Sequence, residues 1–574
     1  MTQFDDGFGE PTTARRDDPG VSVSGTLMPE KKAGLGGGAF EGADRLGREL
    51  ASWPVRVNSA DQMIGKDKMA LDGRALDLLR NNGPTIGASN TQKDSIVGAQ
   101  YRLNANPAFS YLRRHSGDST IDEKWADEFQ MEVEEAFTLY AESDARWCDV
   151  ERKNTLTGLV RLSIGCFFAG GETVGTMNWM KGNRPFRTAM QIIDANRVCN
   201  PNDTEDTKFL RRGVKLDANG APVGVYIRKA LANDNARLGE NFTWEYWPIR
   251  KPWGRLQTLH LLEMSRPEQS RGVADIVAAL KETRMGKRFH EVALANAIVQ
   301  ASFAAAIESE LPPEMAYEMI GAGDGSEGRT LASMSMLQAI AEYSRGSRNM
   351  EIDGTKIPYL FPGTKLNLTP AGVPGGIGDR LEESLNRYIS TTLGISYEEY
   401  THDYSQTNYS SLRAATNKTL RSVQTKKRVI ADGTANALYQ NWLEEAIVEG
   451  HLETTRAMSR KNPNWFYEKM CKEAVCRATW IGATRGQVDE KKETEAAIMR
   501  IDAGLSTYEI ECARLGSDFR DVYAQRAREQ RMEKDHGLVF NRSKGGAPAT
   551  EAQDGNDGKA TTNDNGKSDD GFDD

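Results

Sequence analysis

The chain lacks any apolar run that could cross a bilayer. Its richest stretch, residues 162–171, ends well short of the roughly 18–20 residues a spanning helix needs. It also lacks a basic-plus-apolar leader, opening Met-Thr-Gln-Phe-Asp-Asp-Gly, so neither export nor an integral membrane position is expected. Cysteine and histidine are scarce, six of each in 574 residues. The cysteines, at 148, 166, 199, 471, 476 and 512, form no Cys-x-x-Cys pair. That excludes a disulfide scaffold and leaves reduced, mostly buried thiols, as in a cytosolic protein. The histidines lie too far apart for a metal-ligand cluster, so no metal and no cofactor is expected. An excess of positive charge is missing too. There are 73 Lys+Arg against 82 Asp+Glu, a net of −9. Residues 551–574 hold eight acids and two lysines, which leaves the rest of the chain at −3. Such a balance argues against a protein that simply coats DNA.

What is present is enough apolar material, 39% of the chain, to fill sizeable cores. At roughly 100–200 residues per domain the length suggests about three to five packing units. Residues 1–60 read as a disordered arm, rich in Gly, Asp, Pro and Thr, and residues 538–574 as a disordered acidic tail. Between them the pattern is α+β at first. Helices are expected over 69–80, 121–140 and 155–168, the second with Trp125, Phe129, Val133, Phe137 and Tyr140 on one face. Strands are expected over 172–179, 188–193, 223–228 and 242–249, with a turn at Asp217-Ala-Asn219-Gly220. A long amphipathic helix follows over 273–300, carrying Lys281, Arg284, Lys287 and Arg288 midway. After a mixed insertion and a Gly/Pro hinge, a second amphipathic helix starts at Asp379, whose spacing to Glu382 suits a capping box, and ends before Gly394 at C′. Residues 396–411 are polar and read as a loop, and 412–535 as almost wholly helical, with a capping-box spacing at Ser506 and Glu509.

Catalytic signatures fail on inspection. Gly34-x-Gly36-x-x-Ala39 has no preceding strand and no βαβ context, so it reads as linker. Gly566-Lys567-Ser568 ends like a phosphate loop, but Thr561 stands where the first glycine belongs. His290-Glu291 starts like a zinc-protease helix, but Leu294 replaces the second histidine, and no Gly-x-Ser-x-Gly elbow occurs. The chain is read as not an enzyme. The competing readings are a capsid-associated enzyme, such as a maturation protease or nuclease, and a soluble helical DNA-binding protein. The first needs a nucleophile–base or metal constellation, and the second a basic balance.

One charged stretch stands out. Arg413, Lys418, Arg421, Lys426, Lys427 and Arg428 fall within residues 413–428 with no acid among them. Such a run is either a solvated helix face or a phosphate-facing surface. It follows a polar loop whose Ser, Thr, Asn and Gln side chains can touch phosphates without strong charge.

Several segments, in order, give the chain a family resemblance. They are Arg74-Ala-Leu-Asp-Leu-Leu-Arg80-Asn-Asn-Gly83, Thr91-Gln-Lys-Asp-Ser-Ile96-Val-Gly98, Gln191-Ile-Ile-Asp194-Ala-Asn-Arg197-Val-Cys-Asn200-Pro201 and Gly213-Val-Lys-Leu-Asp217-Ala-Asn-Gly220. Next come Leu259-His260-Leu-Leu and Arg266-Pro-Glu-Gln269-Ser-Arg271-Gly272. The most specific are Leu393-Gly394-Ile-Ser396-Tyr397-Glu398, Asp403-Tyr404-Ser405 and Asn408-Tyr409-Ser410-Ser411-Leu-Arg413, followed later by Asp502-Ala-Gly504-Leu-Ser506. Over residues 65–535 the chain resembles the lambda-like portal proteins of tailed bacteriophages. It departs from the pattern at Tyr400 and His402, where Leu and Gly are expected.

The resemblance implies an α+β, multi-domain portal fold of wing, stem, clip and crown with a largely α-helical C-terminal part. Mapped onto this chain, 61–270 is the wing, 271–302 and 371–395 are the stem helices, and 303–370 is the clip. Residues 396–411 are the channel loop and 412–537 the helical wing and crown. It implies a ring-forming subunit, typically one of twelve, at one capsid vertex. Double-stranded DNA would pass through the ring during packaging and ejection. Expected partners are further copies of the chain, the terminase large subunit, a head-tail connector or adaptor, and major capsid and scaffold proteins, with no membrane. The implied location is the virion's portal vertex, and the host cytoplasm during assembly. The expected DNA-channel residues are Tyr404, Ser405, Gln406, Thr407 and Asn408, with phosphate contacts from Arg413, Lys418 and Arg421.

Overall fold

The computed structural model describes residues 52, 57–116, 118–303, 351–352, 355–356, 377–405, 407–483 and 490–538. Most of the expected N-terminal arm, most of the clip and the acidic tail from 539 lie outside these. The chain divides into two compact units, residues 1–480 and 481–574.

The first unit opens with two helices, α1 (Ala60–Asn81) and α2 (Gly83–Ile96). The breaker at 81–84 is a joint of one residue. Asn82 accepts hydrogen bonds from the Thr85 amide (3.1 Å) and hydroxyl (2.9 Å), and Pro84 sits in the first turn, where its missing N–H does no harm. Helix α1 starts nine residues earlier than expected from the apolar period. Its first turns bury Asp61 and Lys68, held by charge partners rather than by hydrophobic packing, so periodicity could not find them.

Strand β1 (Arg102–Ala105) and helix α3 (Phe109–Ser116) lead to α4 (Glu123–Ala141), capped by Asp122 through the Trp125 amide. Trp125, Phe129, Val133, Phe137 and Tyr140 are buried on one face of α4, as their spacing predicts. Helix α5 (Leu156–Gly170), capped by Thr155, is buried over most of its length and ends at Gly171. Strands β2 (Glu172–Trp179) and β3 (Thr188–Ile193) have the expected bounds. A second sheet holds β4 (Leu210–Arg211), β5 (Val214–Leu216), β6 (Pro222–Arg228) and β7 (Trp244–Pro248) in sequence order. The expected Asp217–Gly220 turn joins β5 to β6, with the Asp217 carboxylate accepting from the Asn219 and Ala221 amides. Strand β8 (Thr258–Leu262) pairs with β2, giving the antiparallel order β3-β2-β8.

The long helix begins differently from expectation. Asp275–Ala279 is a 3₁₀ turn, and α6 runs over Leu280–Phe303. Of the clip, the described part is a pair of short strands, β9 (Glu351–Ile352) and β10 (Thr355–Lys356). Helix α7 (Ile377–Leu393) packs against α6 and against the 3₁₀ turn. Asp379 lies inside its first turn, so the expected cap at that residue is corrected. Gly394 does close α7 in the left-handed conformation (φ 70°), with the Ile395 amide donating back to the Ser390 carbonyl at 3.2 Å.

Helices α8 (Tyr397–Thr401), α9 (Tyr409–Lys426), α10 (Asp432–Val448), α11 (Glu453–Lys461) and α12 (Cys471–Val475) follow, then strand β11 (Ala478–Ile481) beside β1. A π-turn, Lys427–Ala431, joins α9 to α10. Helix α10 closes the main core. Phe137 of α4 lies 5.0 Å from Trp442, 5.4 Å from Tyr439 and 6.1 Å from Trp480, ring centre to ring centre and largely edge to face. Each such pair is worth about 0.5–1.5 kcal/mol beyond the area it buries. Residues 300 positions apart therefore share one core, and α10 cannot be removed without opening it.

Polar groups fix the same seam. Glu445 of α10 accepts from the Arg187 amide (2.6 Å), the Thr188 amide (2.8 Å) and the Thr188 hydroxyl (2.6 Å) at the start of β3. The neighbouring Glu444 takes Lys472 at 3.1 Å, the Tyr467 hydroxyl at 2.9 Å and the Trp253 indole at 3.2 Å.

The second unit holds α13 (Glu490–Asp502), α14 (Tyr508–Arg514) and α15 (Phe519–Asp535). Thr507, not Ser506, caps α14 by accepting from the Ile510 amide, a one-residue correction. Glu511 joins the first two helices through Arg500 (3.0 Å) and Arg514 (2.7 Å), and the Arg500 hydrogen bonds hold its carboxyl down at about 2.

Candidate functional site

The residues singled out from the sequence fall around the end of α7, α8 and the start of α9. The segment expected as one polar loop, 396–411, is corrected. Residues 397–401 form α8, and α9 begins at Tyr409, which leaves 402–408 as the connection. Two local causes make α8. Ser396 and Glu399 form a reciprocal capping box, with the Glu399 amide donating to Ser396 Oγ (3.2 Å) and the Ser396 amide to Glu399 Oε2 (3.1 Å). Tyr400 then anchors the turn. It is 3% exposed and sits among Ala75, Leu78, Ala88, Ile276, Ile389 and Leu393. Burial pushes its hydroxyl up to about 12, against a hydrogen bond with Thr85.

His402 ends α8 in the left-handed region (φ 55°, ψ 24°), the conformation glycine takes most readily. A residue with a Cβ meets a penalty of roughly 1–2 kcal/mol there. The connection then turns on Asp403, which accepts from the Ser405 amide at 3.0 Å, and the Ser405 hydroxyl and amide together lower its carboxyl. Tyr404 is 48% exposed, Ser405 and Asn408 are exposed, and Thr407 is half-buried. Gln406 lies outside the described residues. Asn408 has a role that its polar surroundings hid in the sequence. It is the N-cap of α9, its Oδ1 accepting from the Ser411 amide and the Ser410 hydroxyl, each at 2.9 Å.

Helix α9 sorts its charge by face. Arg413, Lys418, Arg421 and the following Arg428 are exposed, and pair with no carboxylate among the described residues. At 3.6 residues per turn Arg413, Lys418 and Arg421 span an arc of about 140°. The opposite face buries Thr419, Val423 and Lys426. The basic run is therefore divided. Lys426 pairs with Asp275 at 2.7 Å, and Lys427 donates to the Trp480 carbonyl at 2.7 Å and lies 3.6 Å from Asp432. These two lysines hold α9 to the rest of the unit, and the other four cations face solvent.

A second constellation was not legible in the sequence. Glu172, with 0% of its side chain exposed, receives Arg271 at 2.6 Å, His260 at 3.0 Å and the Gly272 amide at 3.0 Å, with Lys68 3.4 Å away. Burial acts to raise its carboxyl. Arg271, His260 and Lys68 outweigh burial and hold it well below the usual range. Arg271 also donates to the Val198, Arg212 and Ala195 carbonyls, tying both sheets to the segment that leads into α6. The backbones touch there. A Cβ on Gly171 would lie 2.1 Å from the Val273 carbonyl carbon, and one on Gly272 would lie 2.2 Å from the Gly171 oxygen. Helix α7 is held at its C-terminal end by Gln92, which donates to the Leu393 carbonyl at 3.1 Å.

Comparison with known proteins agrees with the resemblance. Residues 46–427 match the lambda family of phage portal proteins. The chain is 33% identical over 521 residues to the portal protein of Escherichia phage N15, covering 90% of this chain and 95% of that one. It is 32% identical over 502 residues to portal protein B of Escherichia phage lambda, covering 87% and 91%. The chain belongs to the lambda family of phage portal proteins. Among solved structures, the neck of an empty gene transfer agent particle, computed with C6 symmetry, is similar at a TM-score of 0.37 and 12% identity, over 77% of this chain and 93% of that one.

Proposed function

We propose that this portal protein works as a ring of identical subunits, typically twelve, at one capsid vertex, with double-stranded DNA passing through its centre. One observation carries the assembly. Helices α6 and α7 leave Met285, Val292, Leu294, Ile298, Leu381 and Tyr388 each about half exposed, more apolar surface than paired helices of a monomer would leave to water. A neighbouring copy in a heterologous, ring-closing interface would cover it. Native mass spectrometry or negative-stain imaging tests this. A stable monomer that does not associate even with scaffold present would refute it.

In this reading residues 402–408 line the narrow part of the channel. Contacts to DNA come from Tyr404, Ser405, Gln406, Thr407 and the amide nitrogen of Asn408, all uncharged. A conduit must not grip what moves through it, and each neutralised phosphate steepens the salt dependence of binding by about 0.9 in log–log slope. The cationic face of α9, with Arg413, Lys418 and Arg421, stands beside the loop for sparse phosphate contact. The chain is a passive conduit, and nucleotide hydrolysis belongs to the terminase large subunit that docks on the ring. The head-tail connector, major capsid and scaffold proteins bind the assembled ring. Assembly takes place in the host cytoplasm before the ring becomes part of the virion. Replacing Gln406, Thr407 and Asn408 with lysine should leave rings that form but package or retain DNA poorly. Unchanged packaging by that triple variant would sink the loop's role.

A further inference from the structure

A cationic surface remains that the portal reading does not use. It lies on the turn after α4 and on the β2–β3 hairpin. Trp147 carries two guanidinium groups, with Arg152 4.5 Å and Arg184 5.4 Å from its ring centre. On the hairpin, Trp179 is 49% exposed and carries Arg187 at 5.7 Å. Arg146, Lys181 and Arg187 are exposed nearby in sequence.

Three of the neighbouring carboxylates are already committed, and Asp144 is exposed beside Arg146. Asp149 accepts from the Glu151, Lys153 and Asn154 amides at 2.9–3.0 Å. Glu151 takes Lys153 at 2.7 Å and Gln191 at 3.1 Å, and Glu445 is capped by the start of β3. Arg184 donates to the Trp147 carbonyl, and its Nε has no partner although that atom is buried. Arg152 makes no ion pair among the described residues. The shared indole keeps the two guanidinium groups within about 10 Å, near the screening length at physiological salt, so each feels the other's charge. Burial, together with Arg152, pushes the Arg184 pKa down from its usual value. The backbone is held in place at some expense. Arg146 (φ 50°) and Arg152 (φ 54°) both occupy the left-handed region, and the Asp149 turn fixes the segment between them.

We propose that Arg152 and Arg184, stacked around Trp147 and flanked by Arg187 and Lys181, form a second nucleic-acid surface that binds the phosphate backbone of duplex DNA outside the α9 face. Two features select this partner. The indole faces already carry guanidinium groups, so they offer no free platform for the bases of a single strand. The cavities lined by Leu259 and Asn436, by Gln62 and Asp206, and by Leu112 and Trp465 include none of these residues, so none of them offers an acidic peptide a groove at this surface. A duplex presents a dense, regular line of phosphates to an exposed cationic surface and needs neither. This inference stands whether or not the 402–408 segment lines a channel.

The test uses the full-length chain, with a fluorescein-labelled duplex of roughly 30 base pairs read by anisotropy between about 50 and 200 mM salt. The pair Arg152→Ala, Arg184→Ala should lower the log–log salt slope by about 1.8, two contacts at about 0.9 each, and weaken low-salt binding about 10-fold. The pair Arg152→Lys, Arg184→Lys should keep the slope. An alanine pair with the unsubstituted slope overturns the proposal. So does tighter binding of polyglutamate than of a duplex of equal charge, which would assign the surface to an acidic polypeptide. Phenylglyoxal labelling of the unsubstituted chain, mapped by mass spectrometry, needs no variant. Duplex should protect Arg152 and Arg184, and equal labelling with and without it overturns the proposal.

Discussion

Glu172 and Arg271 form a bidentate pair, 2.6 Å at its closest, with 0% and 4% of their side chains exposed. The pair joins the first residue of β2 to the segment leading into α6, so it fixes where the long helix leaves the α+β body. Removing Arg271 leaves the buried Glu172 carboxylate with only Lys68 and His260 beside it and strands three carbonyls, and breaking a buried pair typically costs about 3–5 kcal/mol. Arg271→Met should therefore destabilise the full chain by that order in urea unfolding. A loss below about 1 kcal/mol would show that water or another cation replaces the guanidinium.

Asp72 sits one turn from Lys68 on α1, 2% exposed, with the Lys68 ammonium 3.0 Å from Oδ1 and 2.9 Å from Oδ2. Burial raises its carboxyl from 3.8 to about 6, against the pull of Lys68. Raised in the fold, the group binds its proton more tightly there than in the unfolded chain. Its contribution is therefore most favourable below pH 3.8, is lost as pH rises through about 6, and is absent above that. At about 1.4 kcal/mol per pH unit the whole effect is on the order of 3 kcal/mol. Asp72→Asn should flatten the stability profile between about pH 4 and pH 6.5. Equal slopes for the two proteins would contradict the assignment.

These two residues also mark where sequence reading stopped. The α4 aromatics were legible because one face is apolar at a fixed spacing and burial follows from that alone. The bounds of β2 and β3 were legible from the change of period and the turn-forming residues between the strands, since the first six residues of β2 are all buried and show no alternation. The first turns of α1 were not, because Asp61 and Lys68 are buried by partners about 100 to 200 residues away in sequence, Gly170 and Glu172 for one and Arg211 and Ser270 for the other. Strands β4 and β5, of two and three residues, carry too few alternations to register. At the candidate site the polar composition of 396–411 was plain. Its division was not, since α8 depends on Tyr400 reaching a core built by α1, α2 and α7. Arg152 and Arg184 meet over Trp147 only because the β2–β3 hairpin folds back on the turn after α4.

Gly171 and Gly182 provide an internal comparison. Both have positive φ, 72° and 111°. Gly171 also lies against the backbone of Val273, and a Cβ there would meet the carbonyl carbon at 2.1 Å, whereas a Cβ on Gly182 meets nothing within 4 Å. Gly182→Ala should cost about 1–2 kcal/mol, the conformational penalty alone. Gly171→Ala must move two chain segments apart and should cost well over that, with little folded protein recovered. Similar melting temperatures for the two variants would mean that the Gly171–Val273 approach is looser than described.

Asn408 offers a way to separate structure from contact in the proposed channel loop. Its Oδ1 caps α9 and its amide nitrogen remains available to a phosphate. Three substitutions divide these roles. Alanine removes the cap and should cost about 1 kcal/mol, within the usual range of 0.5–2. Serine and aspartate both cap well, so each should melt within a few tenths of a kcal/mol of the unsubstituted chain, and aspartate gains slightly from the helix dipole. They differ in charge. In a ring the aspartate is repeated in every subunit, which places a band of carboxylates where DNA phosphates must pass. If the loop faces the bore, Asn408→Asp should assemble normally yet package less DNA or lose it sooner, while Asn408→Ser packages close to normally. If the loop faces elsewhere, the two should package alike. Packaged length and retention for the serine and aspartate rings, compared at equal stability, decide the matter. An aspartate ring that fills and holds DNA as the serine ring does would place Asn408 away from the channel.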